Sequence, residues 1–513
     1  MKLPVAGTGA GRAPEVDVEA ARRALAGLAW DCAYAQLADD APAHTLGVRQ
    51  RQEPLREARL LAWSEEAARL VGLGGLSPAA RASLVPFVNG ERPLPAGDPV
   101  AMAYAGHQFG VWVPRLGDGR ALLLGEVTGP DGTSWDLHAK GTGPTPYARF
   151  GDGRCVLRAA IRELVACEAL AALGVPTTRG LLVITSDTPV VREKTEPGAI
   201  VVRLAPSHVR FGSFELLATT RPELVPVLAD HVIARDLPHL AGAPDRHRRL
   251  LEEAVVRTGR LFADWHALGF VHGVLNTDNL SILGLTLDYG PYAFVEAFEP
   301  SFVPNHSDHE GRYAWDRQPE IGLWGLSRLA LALKSLVPLE QAEGILEGYA
   351  AAFEARYTER MAGRLGLRAW SGEADGALLD DWFALLHDQG VDYPLAFRRL
   401  SSWSPGAANA RVRELFVDPR PFDAWAERWW SRATRDGDDA AAIRGRLDAA
   451  NPRIVARTWH LQRAIEAAEK GDGSVVAALL EAVRRPFDDD PALDAWAAPP
   501  PRDAPACVLS CSS

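Results

Sequence analysis

The chain has 513 residues, 47% hydrophobic and 24% charged, enough for two or three packed units. A formal net charge of −11 and a sequence pI of about 5.7 argue against a nucleic-acid binder or a membrane-surface protein, while leaving room for a local basic pocket. No apolar run approaches a membrane span, Met1 to Arg23 lacks a secretory pattern, and the five cysteines (Cys32, Cys155, Cys167, Cys507, Cys511) form no disulfide framework, so a reducing, cytoplasmic setting is expected.

In chain order, residues 1–100 read as a helical N-terminal extension, with helix formers at helical spacing over Ala20–Leu28 and Glu57–Val71 and a stop at Gly72. From Ala101 the pattern changes to short apolar stretches punctuated by glycine. Arg120–Val127 reads as a buried strand and Trp135–Lys140, which alternates, as a second. Val156–Leu173 is a helix closed by Gly174 and Pro176, and Leu181–Thr185 and Ala199–Leu204 are further strands. Residues 101–215 thus form a small sheet carrying one helix.

Residues 216–335 are mostly helical, including Leu250–Leu268 stopped at Gly269, with a loop-and-strand region over Val271–Gly290. Helices dominate residues 336–498. Trp324, Trp382, Trp425, Trp429 and Trp430 read as core and inter-helix packing. The Pro- and Ser-rich residues 499–513 predict a disordered tail.

Five elements in fixed order carry chemistry. Gly117 and Gly119 in Leu116-Gly117-Asp118-Gly119-Arg120 form a turn where backbone can approach a phosphate and exposed amides can donate to it. Lys140, at a strand end, suits phosphate oxygens, and Glu163 in the following helix could pair with it. His272-Gly273-Val274-Leu275-Asn276-Thr277-Asp278-Asn279 overlays the kinase catalytic loop H-R-D-L-x-x-x-N at His272, Leu275 and Asn279. Asp288-Tyr289-Gly290 follows where the metal-binding D-F-G would stand. Asn279 and Asp288 are hard oxygen ligands of the kind Mg²⁺ takes beside phosphates. Taken singly, each element has a plain structural reading: a hairpin turn, a solvated lysine, a surface glutamate, an asparagine (Asn279) capping a turn, and a buried capping carboxylate (Asp288).

The loop position of a kinase's general base is Val274, which cannot accept a proton; the nearest carboxylate is Asp278. Arg203 and Arg210 are candidates to concentrate positive charge in the cleft with Lys140 and Arg120. Arg154 and Arg158 read as surface ion pairs.

At these residues the chain resembles the selenoprotein O family of protein adenylyltransferases. The likeness runs from about Asp98 to Leu333. It is carried by AYAGHQFGVWVPRLGDGR (Ala103–Arg120), KGTGPTPYARFGDGR (Lys140–Arg154), APSHVRFGSFE (Ala205–Glu215), HGVLNTDNLSILGLTLDYGPYAF (His272–Phe294) and NHSDHEGRYAWDRQP (Asn305–Pro319). The resemblance implies an α+β, bilobal protein-kinase-like fold with a small β-rich N-lobe, a helical C-lobe and helical extensions, and ATP bound flipped so that its α-phosphate faces the acceptor. It implies that Gly117, Gly119 and Arg120 touch the nucleotide and that Lys140, Asp152, Gly153, Arg203 and Arg210 hold the phosphate end. Glu163 would pair with Lys140, Asp278 would accept the proton, and Asn279 and Asp288 would hold Mg²⁺ or Mn²⁺, Asp288 also meeting ATP. The reaction implied is AMP transfer to Ser, Thr or Tyr hydroxyls of proteins, with no nucleic-acid or membrane partner. Cys511 resembles the selenocysteine position of eukaryotic members, but Pro304 stands where some bacterial relatives carry a cysteine, so no lock between that segment and the tail is expected; Cys507 and Cys511 could pair or stay free.

Phosphoryl transfer to a protein or small molecule, a non-catalytic nucleotide scaffold, and uridylyl transfer with Mn²⁺ remain as competing readings, Val274 counting against the first.

Overall fold

The computed structural model describes residues 17–406, 409–501, 503–505 and 507–510. Its centre is a nine-stranded sheet. The strands are β1 (Ala29–Asp31), β2 (Gly47–Arg49), β3 (Arg59–Trp63), β4 (Val100–Met102), β7 (Ala121–Thr128), β8 (Ser134–Lys140), β9 (Cys155–Val156), β10 (Arg179–Val191) and β11 (Thr195–Ala205), with β5 (Gly106–Gln108) and β6 (Val111–Val113) forming a separate hairpin. The order is β2-β4-β7-β8-β11-β10-β3, all pairs antiparallel, with β1 on β7 and β9 on β11.

The sheet is covered on both faces, so its central strands are nearly continuous apolar runs. Val183 and Val201 pack with the helix Leu157–Ala172, whereas Leu182, Ile184, Ile200 and Val202 point the other way, onto Val85 and Val88. The helix Arg246–Leu268 ends at Gly269 in the left-handed region (φ 71°), as its sequence predicts. The helices Glu373–Asp388, Tyr393–Arg399, Pro419–Thr434 and Ala440–Ala450 build a second core, in which Trp382 and Trp425 stack at 4.4 Å between centroids.

Three expectations need correction. Residues 59–63 form a strand, with only Glu65–Leu70 helical behind the Ser64 cap; Ala62 pairs with Val183, and the sheet edge supplies backbone partners that outweigh helix propensity. The N-terminal region therefore lends β1, β2 and β3 to the sheet. Trp324 lies outside the cores, half-buried between two arginines. The tail is docked where it is described: the amide of His306 donates to Leu509 O at 2.8 Å, and Leu509 is buried. Cys511, and hence its pairing with Cys507, lies outside the described residues.

Candidate active site

A cleft of about 780 Å³ opens below β7, β8 and β11. Gly117, Gly119, Arg120, Lys140, Asp152 and Gly153 line one side, and Asp278, Asn279 and Asp288 the other, with Arg203 between them. Arg210 and Glu163 stand behind this wall and touch it through Asp288 and Lys140.

Lys140 ends β8 with its Nζ 2.7 Å from Glu163 Oε2 and 3.5 Å from Asp288 Oδ1. Arg203, on β11, donates from Nη1 to Glu163 Oε1 at 2.5 Å and also to Asp288 Oδ1. Arg210 caps the helix Phe211–Thr220; its Nη1 donates to Asp278 O at 2.8 Å and to Asp288 Oδ2. Asp288 therefore draws three cations together. Burial alone would raise its pKa, but Arg203, Arg210 and Lys140 overcome that and hold the carboxyl well below the usual range. Its φ of 56°, uncommon for a non-glycine residue, aims the carboxylate back at the sheet.

Asp278 has a different environment. Its Oδ2 accepts from Gln108 Nε2 at 3.2 Å, and its Oδ1 is buried with no hydrogen-bond partner. Burial pushes its pKa up to about 6. A carboxylate with one free oxygen and a raised pKa is suited to taking a proton near neutral pH. Val274 also lines the cleft, and its carbonyl accepts from Asn279 Nδ2 at 3.0 Å, which orients the Asn279 amide and leaves its oxygen for a ligand.

Among the described residues no group of three or more His, Cys, Asp or Glu side chains could hold a metal ion. Asp288 with the Asn279 oxygen is the donor set at hand. Mg²⁺ commonly binds through one or two such oxygens, phosphates and water, so these residues fit that ion.

The glycine turn works differently from its expected role. The amides of Asp118 and Gly119 already donate to Met102 O (2.9 Å) and Gly117 O (2.7 Å). The two glycines thus provide close backbone approach; a Cβ on Gly117 (φ 117°) would lie 2.6 Å from the Tyr147 ring. Asp152 is also occupied: it accepts from Arg192 Nη1 and Nη2 at 2.7 and 2.8 Å, holding that arginine at the cleft mouth. Arg154 pairs with Glu53 but is itself buried, contrary to a surface reading, and Arg158 lies 3.4 Å from Glu196.

Sequence reasoning missed four participants. Arg192 is one. The others are Asp118, His138 and Gln108. His138 Nε2 lies 2.9 Å from Asp118 Oδ2 while its Nδ1 accepts from Arg203 Nε at 3.3 Å, so the neutral ring carries its proton on Nε2. Burial, with Arg203 nearby, lowers its pKa. Gln108 and Asp118 lie within the stretch Ala103–Arg120 that carries the resemblance, but their roles, like those of His138 and Arg192, come from partners elsewhere in the chain.

Comparison with known proteins supplies the class. The chain is 48% identical to a protein of Myxococcus xanthus (strain DK1622) over 489 residues, covering 95% of this chain and 99% of the relative. It is 47% identical to one of Bordetella avium (strain 197N) over 494 residues, covering 95% and 99%. A Pseudomonas fluorescens (strain Pf0-1) protein is 44% identical over 493 residues, covering 96% and 100%. All three are called protein nucleotidyltransferase YdiU. This chain is accordingly a nucleotidyltransferase enzyme. The family model described as protein adenylyltransferase SelO matches residues 54–484, and the chain belongs to that family.

Proposed function

We propose that the enzyme transfers AMP from ATP to Ser, Thr or Tyr hydroxyls of proteins, in a bilobal protein-kinase-like fold. The observation that carries this reading is the division of labour between two carboxylates on one wall: Asp288 clamped by three cations, Asp278 with a free buried oxygen.

Lys140 and Arg203 face the outer phosphates deep in the cleft, with Arg210 adding its charge from behind the wall through Asp288, which leaves the α-phosphorus toward Asp278. Arg120, Gly117, Gly119 and Gly153 border the nucleotide, and Asp152 acts through Arg192. The acceptor oxygen attacks the α-phosphorus, the bond to the bridging oxygen toward the β-phosphate breaks, pyrophosphate leaves, and the hydroxyl proton passes to Asp278 Oδ1. When bound at Asn279 and Asp288, Mg²⁺ or Mn²⁺ would neutralise phosphate charge. Val274 offers no base at the position a phosphoryl-transferring kinase uses. No helix among the described residues is long and apolar enough to cross a membrane.

ATP labelled at the α- or γ-phosphate, incubated with candidate acceptor proteins, tests the reading. Protein-bound α-label is expected. Protein-bound γ-label would make the enzyme a kinase, and neither label a nucleotide scaffold. A parallel incubation with α-labelled UTP and Mn²⁺ compares the bases.

A further inference from the structure

We propose that a second cleft, between the β5–β6 hairpin and the helix Gln318–Ala332, docks the acceptor protein and selects a segment carrying an acidic side chain beside an apolar one. This rests on the transfer reading above and names the recognition chemistry of its acceptor.

The cleft has a volume of about 410 Å³ and is walled by His107 and Trp112 on the hairpin side and Arg328, Leu331 and Lys334 on the other. Among the described residues no carboxylate pairs with Lys334, with Arg328, which donates to Ser327 Oγ and lies against Trp324, or with the neighbouring Arg312. The lining carboxylate Glu215 is already engaged, by His107 Nδ1 at 2.6 Å and by the Thr277 hydroxyl.

The apolar half is equally specific. Trp324, Arg328 and Leu331 are spaced four and three residues apart on the helix and so share one face. The Trp324 ring has Arg312 Cζ at 4.6 Å and Arg328 Cζ at 5.6 Å from its centroid, and Leu331 is 41% exposed. Such a surface pairs guanidinium donors with indole and aliphatic area, the combination that binds an acidic-apolar segment.

What makes this surface relevant to transfer is the hairpin. His107 N donates to Thr277 Oγ1 at 2.7 Å, Gln108 Nε2 to Asp278 at 3.2 Å, and Phe109 N to Asn276 Oδ1 at 3.1 Å. The hairpin is thus bolted to the loop carrying Asp278. Adjacent residues point to opposite faces, so Gln108 looks into the catalytic cleft and His107 into the second. A segment crossing a ~10 Å sheet thickness at ~3.3 Å per residue places its acidic residue about three to five positions from the modified hydroxyl.

The test uses peptides with one central Ser, Thr or Tyr and varied flanks, α-labelled ATP and the full-length enzyme. Peptides with Glu and Leu three to five positions away should show a KM about tenfold lower than the same peptides with Gln for Glu. The double variant Arg328→Glu, Lys334→Glu should raise that KM about tenfold, leave kcat unchanged and erase the Glu preference. An unchanged KM in the variant, or no Glu preference in the wild type, overturns the docking site. If the wild type labels no acceptor at all, the transfer reading fails instead. Fluorescence anisotropy of the same peptides then decides separately: Glu-dependent binding lost in the variant supports the surface, and its absence removes it.

Discussion

Lys140 Nζ lies 3.5 Å from Asp288 Oδ1 although 148 residues of chain separate them. The contact ties the end of a central strand to the loop after the helical segment, and Glu163 and Arg203 join it from a helix and the next strand. Four elements with no local relation are held by one ionic cluster, buried except where Lys140 and Asp288 meet the cleft.

Removing Asp288 should therefore act twice. Asp288→Ala leaves Lys140 and Arg203 with Glu163 alone and Arg210 without its ion-pair partner, so urea unfolding should show a loss of about 3 kcal/mol with the protein still folded. Transfer measured with α-labelled ATP should fall roughly 10²–10³-fold. Arg203→Ala and Arg210→Ala should also lose most transfer. Activity retained in Asp288→Ala would remove the role given to this carboxylate.

Asp278→Asn is nearly isosteric and keeps a partner for Gln108. It should lower kcat by roughly 10²–10⁴-fold while ATP affinity by calorimetry stays close to wild type. Equal losses in both would mean that Asp278 positions nucleotide and does not take the proton.

Gly153→Ala should destabilise the fold by roughly 3 kcal/mol or more, because its φ of 69° disfavours a side chain and a Cβ there would lie 1.9 Å from Pro144 N. At Gly290, also on the cleft, a Cβ would meet nothing within 4 Å, so Gly290→Ala should change thermal stability by about 0.5 kcal/mol at most. Similar melting curves for the two would contradict this packing.

Acid should weaken the fold through His208. The ring is fully buried, stacked on His138 at 4.4 Å, and burial holds its pKa down at about 3. An unfolded chain takes up this proton below about pH 6.5, whereas the folded chain does not, so stability present above pH 6.5 is lost as pH falls toward 3. The loss is about 1.4 kcal/mol per pH unit for this group. In His208→Gln the stability curve from pH 6.5 to 4 should be flatter by that slope; an equal slope would assign the acid sensitivity elsewhere.

Much of the site is legible in the sequence because its chemistry is written in short local strings. His272 to Asn279, Asp288-Tyr289-Gly290 and the Gly117–Gly119 turn can be read without knowing what lies opposite. Arg192 cannot be found this way, since its importance comes from Asp152, 40 residues away. His138 reads as one more alternating strand residue until Asp118 and Arg203 are seen on either side of its ring. Residues 59–63 read as helical because propensity is local, whereas the β10 edge that makes them a strand is more than a hundred residues distant.

By itself the sequence determined the residue types, their order, the helix stop at Gly269 and the absence of a carboxylate at Val274. Tertiary structure alone decided that Asp288 is clamped while Asp278 keeps a free oxygen, and that Arg312 and Arg328 lie against the Trp324 ring outside the core. The reason is physical: a side chain's charge state and free valences depend on how deeply it is buried and on which groups face it, and those neighbours are brought by distant parts of the chain.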